Sequence, residues 1–240
     1  MSIYTTLQRA DYLNFGRVWN WPNMSRIFLV GNGASLKRTP LDLLKFEFSM
    51  AVNKIHMIYP HTVWRPTHYM KVDYSAFAGD NWKEEVMPHI LRGEQCLLWA
   101  AFRAGADKYD GNYEYIPDGI GDFDNVTYIP RCNHHYLATG DWHEICTGCN
   151  SILTMMIWAV QLGFEKIYLV GCDGEYSTPD KDHFDDKYYE KWDETYAARN
   201  NKMTRLAHDI AKGKCPVPVI NCTVGGSLDM WPREKLEDVL

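Results

Sequence analysis

"NSILTMMIWAVQLGFEKIYLVGCDGEYS", residues 150–177, holds fourteen residues of helical pattern followed by a short apolar run ending in Gly-Cys-Asp-Gly. Asn150 and Ser151 can cap a helix start, and Gly163 falls where a left-handed residue ends one. The run "KIYLVG" at 166–171 is too short for a helix and carries the β-branched and aromatic residues of a buried strand. A helix delivering a strand is the repeating unit of α/β folds, so this stretch sets the expectation for the rest of the chain.

Similar apolar runs recur at 26–31 ("RIFLVG"), 48–53 ("FSMAVN"), 68–73 ("HYMKVD"), 95–102 ("QCLLWAAF"), 126–130 ("VTYIP") and 217–221 ("VPVIN"). Helical patterns separate several of them. "TPLDLLKF" offers Thr39 as a cap and Pro40 at the first helical position, "NWKEEVMPHILRG" covers 81–93, and a long polar segment becomes a helix ending at Gly213. Strands alternating with helices predict a single Rossmann-like α/β domain, residues 1–240, with a mostly parallel sheet. The segment from about 103 to 146 is rich in Gly, Asp, Asn and aromatics with weak periodicity, and reads as a long irregular lid or insert.

Parallel sheets bind ligands beyond the carboxyl ends of their strands. In "IFLVGNGASL" the first strand delivers Gly31, Asn32, Gly33 and Ser35 to that edge, where the glycines permit close approach and the other two offer hydrogen-bonding groups. This is no dinucleotide fingerprint, because the third glycine is missing, and no Lys follows as in a P-loop. Asn53 ends the second strand and Asp73, with Ser75, follows the third. Thr147, Gly148, Asn150 and Ser151 open the apolar helix, whose free N–H groups suit an anion, and Asp173 and Glu175 follow its strand.

Composition narrows the partners. Lys and Arg number 25 against 31 Asp and Glu, a net charge of -6, and no basic run tracks a phosphate backbone, which argues against nucleic acid. No apolar run approaches the roughly 18 residues of a membrane span, and the first residues lack the pattern of an export signal. A cytoplasmic protein with reduced thiols is expected, the 7 cysteines being an odd number. The pair in "CTGC", Cys146 and Cys149, has no second CxxC or spaced His pair to complete a zinc site. The chain's apolar helix faces suit packing within the chain and packing on a second copy in a homo-oligomer alike.

"LVGNGASL", "VNK", "TGCNSILTMMIWAVQLGFEKIYLVGCD" and "HFDDKYY" together resemble the bacterial lipooligosaccharide sialyltransferases, which use a CMP-sugar donor. They are equally similar to a related family containing the archaeal 6-hydroxymethyl-dihydropterin pyrophosphokinase, which the ending "VINCTVGGSLDMWPREKLEDVL" resembles more. The first resemblance implies a sialyltransferase-like glycosyltransferase with a nucleotide-sugar as substrate and no required cofactor. Asn32 and Asn53 would contact the nucleotide, Thr147 and Gly148 the donor, and His183 would be the base. Tyr176, Tyr188 and Tyr189 are its candidates for donating to the leaving phosphate. Where those enzymes carry an arginine that grips the sialic acid carboxylate, this chain has Glu144, so a sugar other than sialic acid is expected. The acceptor could be a glycan, a small molecule or a modified base. The second resemblance implies ATP with Mg²⁺, held by Asp73, Asp173 and Glu175, and pyrophosphoryl transfer to a small alcohol. A nucleotide-binding protein without catalysis is the third alternative. His134, His135, His143 and His208 compete with His183 for the base.

Overall fold

The computed structural model describes residues 24–71, 82–92, 96–100, 126–129, 150–176, 182–188 and 194–240. Seven strands make one sheet: β1 (Ile27–Val30), β2 (Ser49–Val52), β3 (His68–Lys71), β4 (Cys96–Ala100), β5 (Val126–Ile129), β6 (Ile167–Val170) and β7 (Val219–Asn221). All seven fall within the expected runs. Their order is β5-β4-β3-β2-β1-β6-β7, and every neighbouring pair is parallel. The chain therefore winds outward from β1 to β5 and then resumes on the other side of β1. That reversal, between β1 and β6, is the point at which loops from the strands' carboxyl ends part and leave a crevice.

β1 and β6 are central, so both of their faces must be covered. Ile27 and Leu29 point into one core with Met50, Ile167 and Leu169, while Phe28 and Val30 point into the other with Ala51, Tyr69 and Val170. Phe28 stacks on Tyr168 across the strand pair with ring centroids 4.9 Å apart. Burial at this level is worth about 1.5–3 kcal/mol for each large apolar side chain.

Three α-helices are described: α1 (Trp82–Leu91), α2 (Ser151–Leu162) and α3 (Glu194–Lys212). α2 is buried from Leu153 to Ala159 and packs on the first core. Its ends carry the expected signals: Leu153 N–H donates to the Asn150 side chain at 2.9 Å, and Gly163 takes φ 92. α3 buries Thr204, Ala207, His208 and Ala211, spacings that mark one face of a helix.

One expected helix is absent. Residues 39–46 instead hold one 3₁₀ turn, Leu41–Leu44, which follows another at Ala34–Arg38. Thr39 does not cap a following helix, because its hydroxyl turns back to the Ser35 carbonyl at 3.0 Å. The side chain of Asp42 is drawn away as well, taking hydrogen bonds from Thr62, Val63 and Trp64. The turns bury Leu36, Leu41 and Leu44 over the second core.

Among the described residues no helix is long and apolar enough to cross a membrane, and no three His, Cys, Asp or Glu side chains are grouped to hold a metal ion. Cys172, Cys215 and Cys222 are free thiols. Burial pushes Cys172 and Cys222 up to about 12, which leaves neither a nucleophile at neutral pH.

Candidate functional site

The Gly-Asn-Gly turn lies at the reversal point and is clamped to the loop after β6. Gly31 N–H donates to the Val170 carbonyl at 2.8 Å and Gly33 N–H to the Gly171 carbonyl at 2.9 Å. A Cβ on Gly31 would stand 2.6 Å from the Gly171 oxygen, and one on Gly33 only 1.7 Å from a carboxylate oxygen of Asp173. Packing alone thus requires both glycines.

Gly33 precedes the first 3₁₀ turn and has no side chain with which to cap it. Asp173 supplies the cap from the β6 loop: Ser35 donates to its carboxylate through Oγ at 2.7 Å and through N–H at 3.3 Å. Burial raises the Asp173 carboxyl above its ordinary value, against the lowering pull of Ser35 and Arg38. The Asp173 carbonyl accepts from Ser227 N–H at 2.7 Å, beside Gly226 at φ 78.

On its other side the turn meets β2 and the segment 182–188. The Asn32 amide nitrogen donates to the Val52 carbonyl and to the Tyr188 hydroxyl, both at 2.9 Å. A carbonyl can only accept, so this pairing fixes the amide orientation and directs Asn32 Oδ1 the other way. That oxygen is buried and has no hydrogen-bond partner. The Asn32 carbonyl accepts from Phe184 N–H at 3.1 Å and so docks the segment carrying His183.

His183 stacks on Tyr188, with centroids 3.9 Å apart and rings 19° from parallel, and Tyr176 leans on it at 6.1 Å. Burial pushes the His183 imidazole down to about 4, with Asp182 pulling upward and Lys54 adding to the lowering. Lys54 Nζ donates to the Tyr188 carbonyl at 3.2 Å and lies 5.8 Å from the centre of the Tyr188 ring. Asn53, at φ 54, is the one described non-glycine residue in the left-handed region. It is held by a bond from its amide to Ser151 Oγ at 3.3 Å and by the Tyr69 hydroxyl on its carbonyl. The end of β2 is thereby tied to the start of α2.

Gly31, Asn32, Gly33, Ser35 and Asp173 therefore meet at the β1–β6 edge, and on the β2 side Asn32 bonds to Tyr188, to Val52 next to Asn53 and to Phe184 next to His183. Ser35 and Asp173 occupy one another. Asp73, Thr147, Gly148 and Tyr189 lie outside the described residues, as do Ser75, His134, His135, His143, Glu144, Cys146 and Cys149, and the expected insert apart from β5. His208 takes no part, because it accepts from Trp231 Nε1 at 3.1 Å beneath α3. Glu175 is exposed. Lys54 was legible only as the third letter of "VNK", since its partner is 134 positions further along. Next to this cluster a cavity of about 530 Å³ is lined by Leu36, Leu41, Asp42, Ile58, Thr62 and Phe184, among others.

No protein-family model and no curated protein sequence matches the chain. Among solved structures it is similar to the sialyltransferase CstII from Campylobacter jejuni in complex with a substrate analogue, cytidine-5'-monophosphate. The TM-score is 0.52 at 13% identity, covering 89% of this chain and 86% of that one. It is also similar to the monofunctional α-2,3-sialyltransferase Cst-I from Campylobacter jejuni, with a TM-score of 0.50 at 15% identity over 84% of this chain and 76% of that one. The fold is thus α/β of the sialyltransferase kind. Neither structure bears on the pyrophosphokinase part of the resemblance.

Proposed function

We propose that the chain is a glycosyltransferase that moves a sugar from a nucleotide-activated donor to an acceptor hydroxyl, with the nucleotide seated at the carboxyl edge between β1, β2 and β6. The observation that carries this reading is Asn32 Oδ1, a buried acceptor without a donor at the reversal point of a parallel sheet. Leaving such an atom unsatisfied costs about 1–3 kcal/mol, which a ligand hydroxyl or amino group would recover. The CMP bound by the Campylobacter jejuni sialyltransferase makes a pyrimidine nucleotide the first candidate donor.

His183 is the proposed base. An imidazole with its pKa near 4 is neutral at pH 7 and can accept a proton, and the arrival of donor phosphate beside it would raise its proton affinity. The acceptor oxygen gives its proton to His183 and bonds to the anomeric carbon of the sugar. The bond from that carbon to the phosphate oxygen breaks, and the nucleotide leaves with the electron pair. Tyr188 accepts a hydrogen bond from Asn32, which points its own O–H hydrogen elsewhere, and a phenol so placed can donate to the departing phosphate. Tyr189, Thr147, Gly148 and Asp73 complete the proposed donor site. Glu144 would repel a sugar carboxylate, so the donor carries a sugar other than sialic acid, and no metal or further cofactor enters the scheme.

The test begins with thermal unfolding against CMP, UDP, GDP and ATP, each with and without Mg²⁺. A nucleotide at 100 times its Kd stabilises the fold by about 2.7 kcal/mol. A metal-independent rise with a pyrimidine nucleotide is expected. His183→Ala is then expected to keep that rise and lower transfer about 10²–10⁴-fold. Stabilisation by ATP with Mg²⁺ alone would move the reading to pyrophosphoryl transfer, and full transfer by His183→Ala would remove His183 as base.

A further inference from the structure

The loop after β6 carries Tyr176 to the site, and α3 grips it there. Tyr176 N–H donates to the Asn201 side-chain oxygen at 2.7 Å, and the Asn201 amide nitrogen donates to the Tyr176 carbonyl at 2.6 Å. A side-chain amide offers the same donor and acceptor as a peptide group, so it can pair with both backbone groups of one residue as a neighbouring strand would. Both bonds are short for their kind.

Asn201 is out of keeping with its helix. Ala197, Thr204, Ala207, His208 and Ala211 mark the buried face of α3, and position 201 falls on that face between the first two. Leucine there would favour the helix more, because asparagine is a poor helix former. A part-buried amide is kept without loss only where it is hydrogen-bonded, and the pairing with Tyr176 meets that condition.

The residue so gripped borders the candidate base. The Tyr176 ring lies 6.1 Å from the His183 imidazole, centre to centre, with the planes at 57°. The imidazole is held from elsewhere: Asn32 accepts from Phe184 N–H, and the Tyr188 ring stacks on His183 at 3.9 Å. Ser227 anchors the β6 loop at the Asp173 and Gly174 carbonyls, short of Tyr176. Tyr176 and His183 thus hang on different parts of the fold, α3 and the β1 turn.

We propose that Asn201 is a positioning residue: from α3 it pins the Tyr176 backbone and so sets where the Tyr176 ring stands beside His183. The consequence for turnover rests on His183 being the base of the proposed transfer, but the clamp itself does not.

The experiment follows the His183 ring protons by NMR near neutral pH in the wild type, Asn201→Leu, Asn201→Asp and Tyr176→Leu, with His183→Gln used to assign the resonance. An aromatic ring displaces the resonances of protons beside it, so Tyr176→Leu gives the position without that ring. Asn201→Leu removes both bonds and should move the resonance towards that position. Asn201→Asp keeps only the acceptor and should move it part of the way, while the His68 resonance should stay in place. In a transfer assay Asn201→Leu should lower kcat by about 10²-fold with the donor KM little changed. An unmoved His183 resonance in Tyr176→Leu, or in either Asn201 variant that folds, overturns the proposal. Equal displacement of His68 and His183 would mark general loosening and overturns it too, as does a moved resonance with kcat unchanged. Full transfer by His183→Ala would remove His183 as base and leave the resonance test of the clamp standing, so the two failures are separable.

Discussion

The two sides of the Gly-Asn-Gly turn are built differently. Towards β6 everything is filled: the glycines admit no Cβ, Ser35 and Asp173 satisfy each other, and Ser227 closes the Asp173 backbone. Towards β2 the same turn meets a buried oxygen without a partner, a non-glycine residue in the left-handed region and an imidazole kept neutral by burial. Strain and unsatisfied polar groups concentrate where function requires them. The glycines of the motif are thus explained by packing, and it is the asparagine between them that points to a ligand.

Acidification should separate the two sides. A histidine whose pKa is lowered by folding binds its proton more readily in the unfolded chain, so its stability contribution is present above about pH 6.5 and is lost as the pH falls towards the folded value. His183, His68 and His208 are all pushed down to about 4, chiefly by burial. Three extra protons on the unfolded chain give a slope of up to about 4 kcal/mol per pH unit between pH 6.5 and 4. Asp173, raised by burial, works the other way and gains stability as it protonates. Urea unfolding at a series of pH values should show the steep fall, and His183→Gln should remove about a third of its slope. A flat profile from pH 6.5 to 4.5 would mean that these imidazoles are open to water.

The closed side is tested by Gly33→Ala. The backbone at Gly33, φ -68 and ψ 158, suits any residue, so the whole cost comes from the new Cβ meeting the Asp173 carboxylate at 1.7 Å and the Gly171 oxygen at 2.7 Å. Overpacking against fixed backbone should cost about 3 kcal/mol in urea unfolding. Combining it with Asp173→Ala should cost less than the two separately, because the collision is shared. Little loss in the single variant would show that the β6 loop yields, and the contrast between the two sides would fail.

Strand positions were legible because each central strand is a short apolar run buried on both faces, and "IFLV" and "IYLV" have no other place in a parallel sheet. Helix α2 was legible through Asn150 and Gly163, which act locally. The same local logic fails at Thr39 and Asp42, whose side chains answer to Ser35 and to the 62–64 loop instead of to a helix. The convergence of Gly31, Asn32, Ser35 and Asp173 could be anticipated from strand ends. That Ser35 and Asp173 would cap one another could not, since the pairing spans 138 positions and depends on β6 lying beside β1. Lys54 escaped notice for the same reason.

The smallest expected change in stability carries the sharpest test of the open side. Asn32→Ala removes two donated hydrogen bonds, to Val52 and Tyr188, and leaves the Val52 carbonyl without that donor. It also removes a buried oxygen that the folded protein leaves unsatisfied. A typical hydrogen bond contributes about 0.5–1.5 kcal/mol net, and relief of the orphaned oxygen offsets part of the loss, so the variant should be only about 1 kcal/mol less stable than the parent. Its thermal stabilisation by nucleotide should nevertheless disappear, because the acceptor that awaits the ligand has gone. If instead the variant unfolds readily while still responding to nucleotide, Asn32 belongs with the glycines as a packing residue, and the ligand must be held by other groups at the sheet edge.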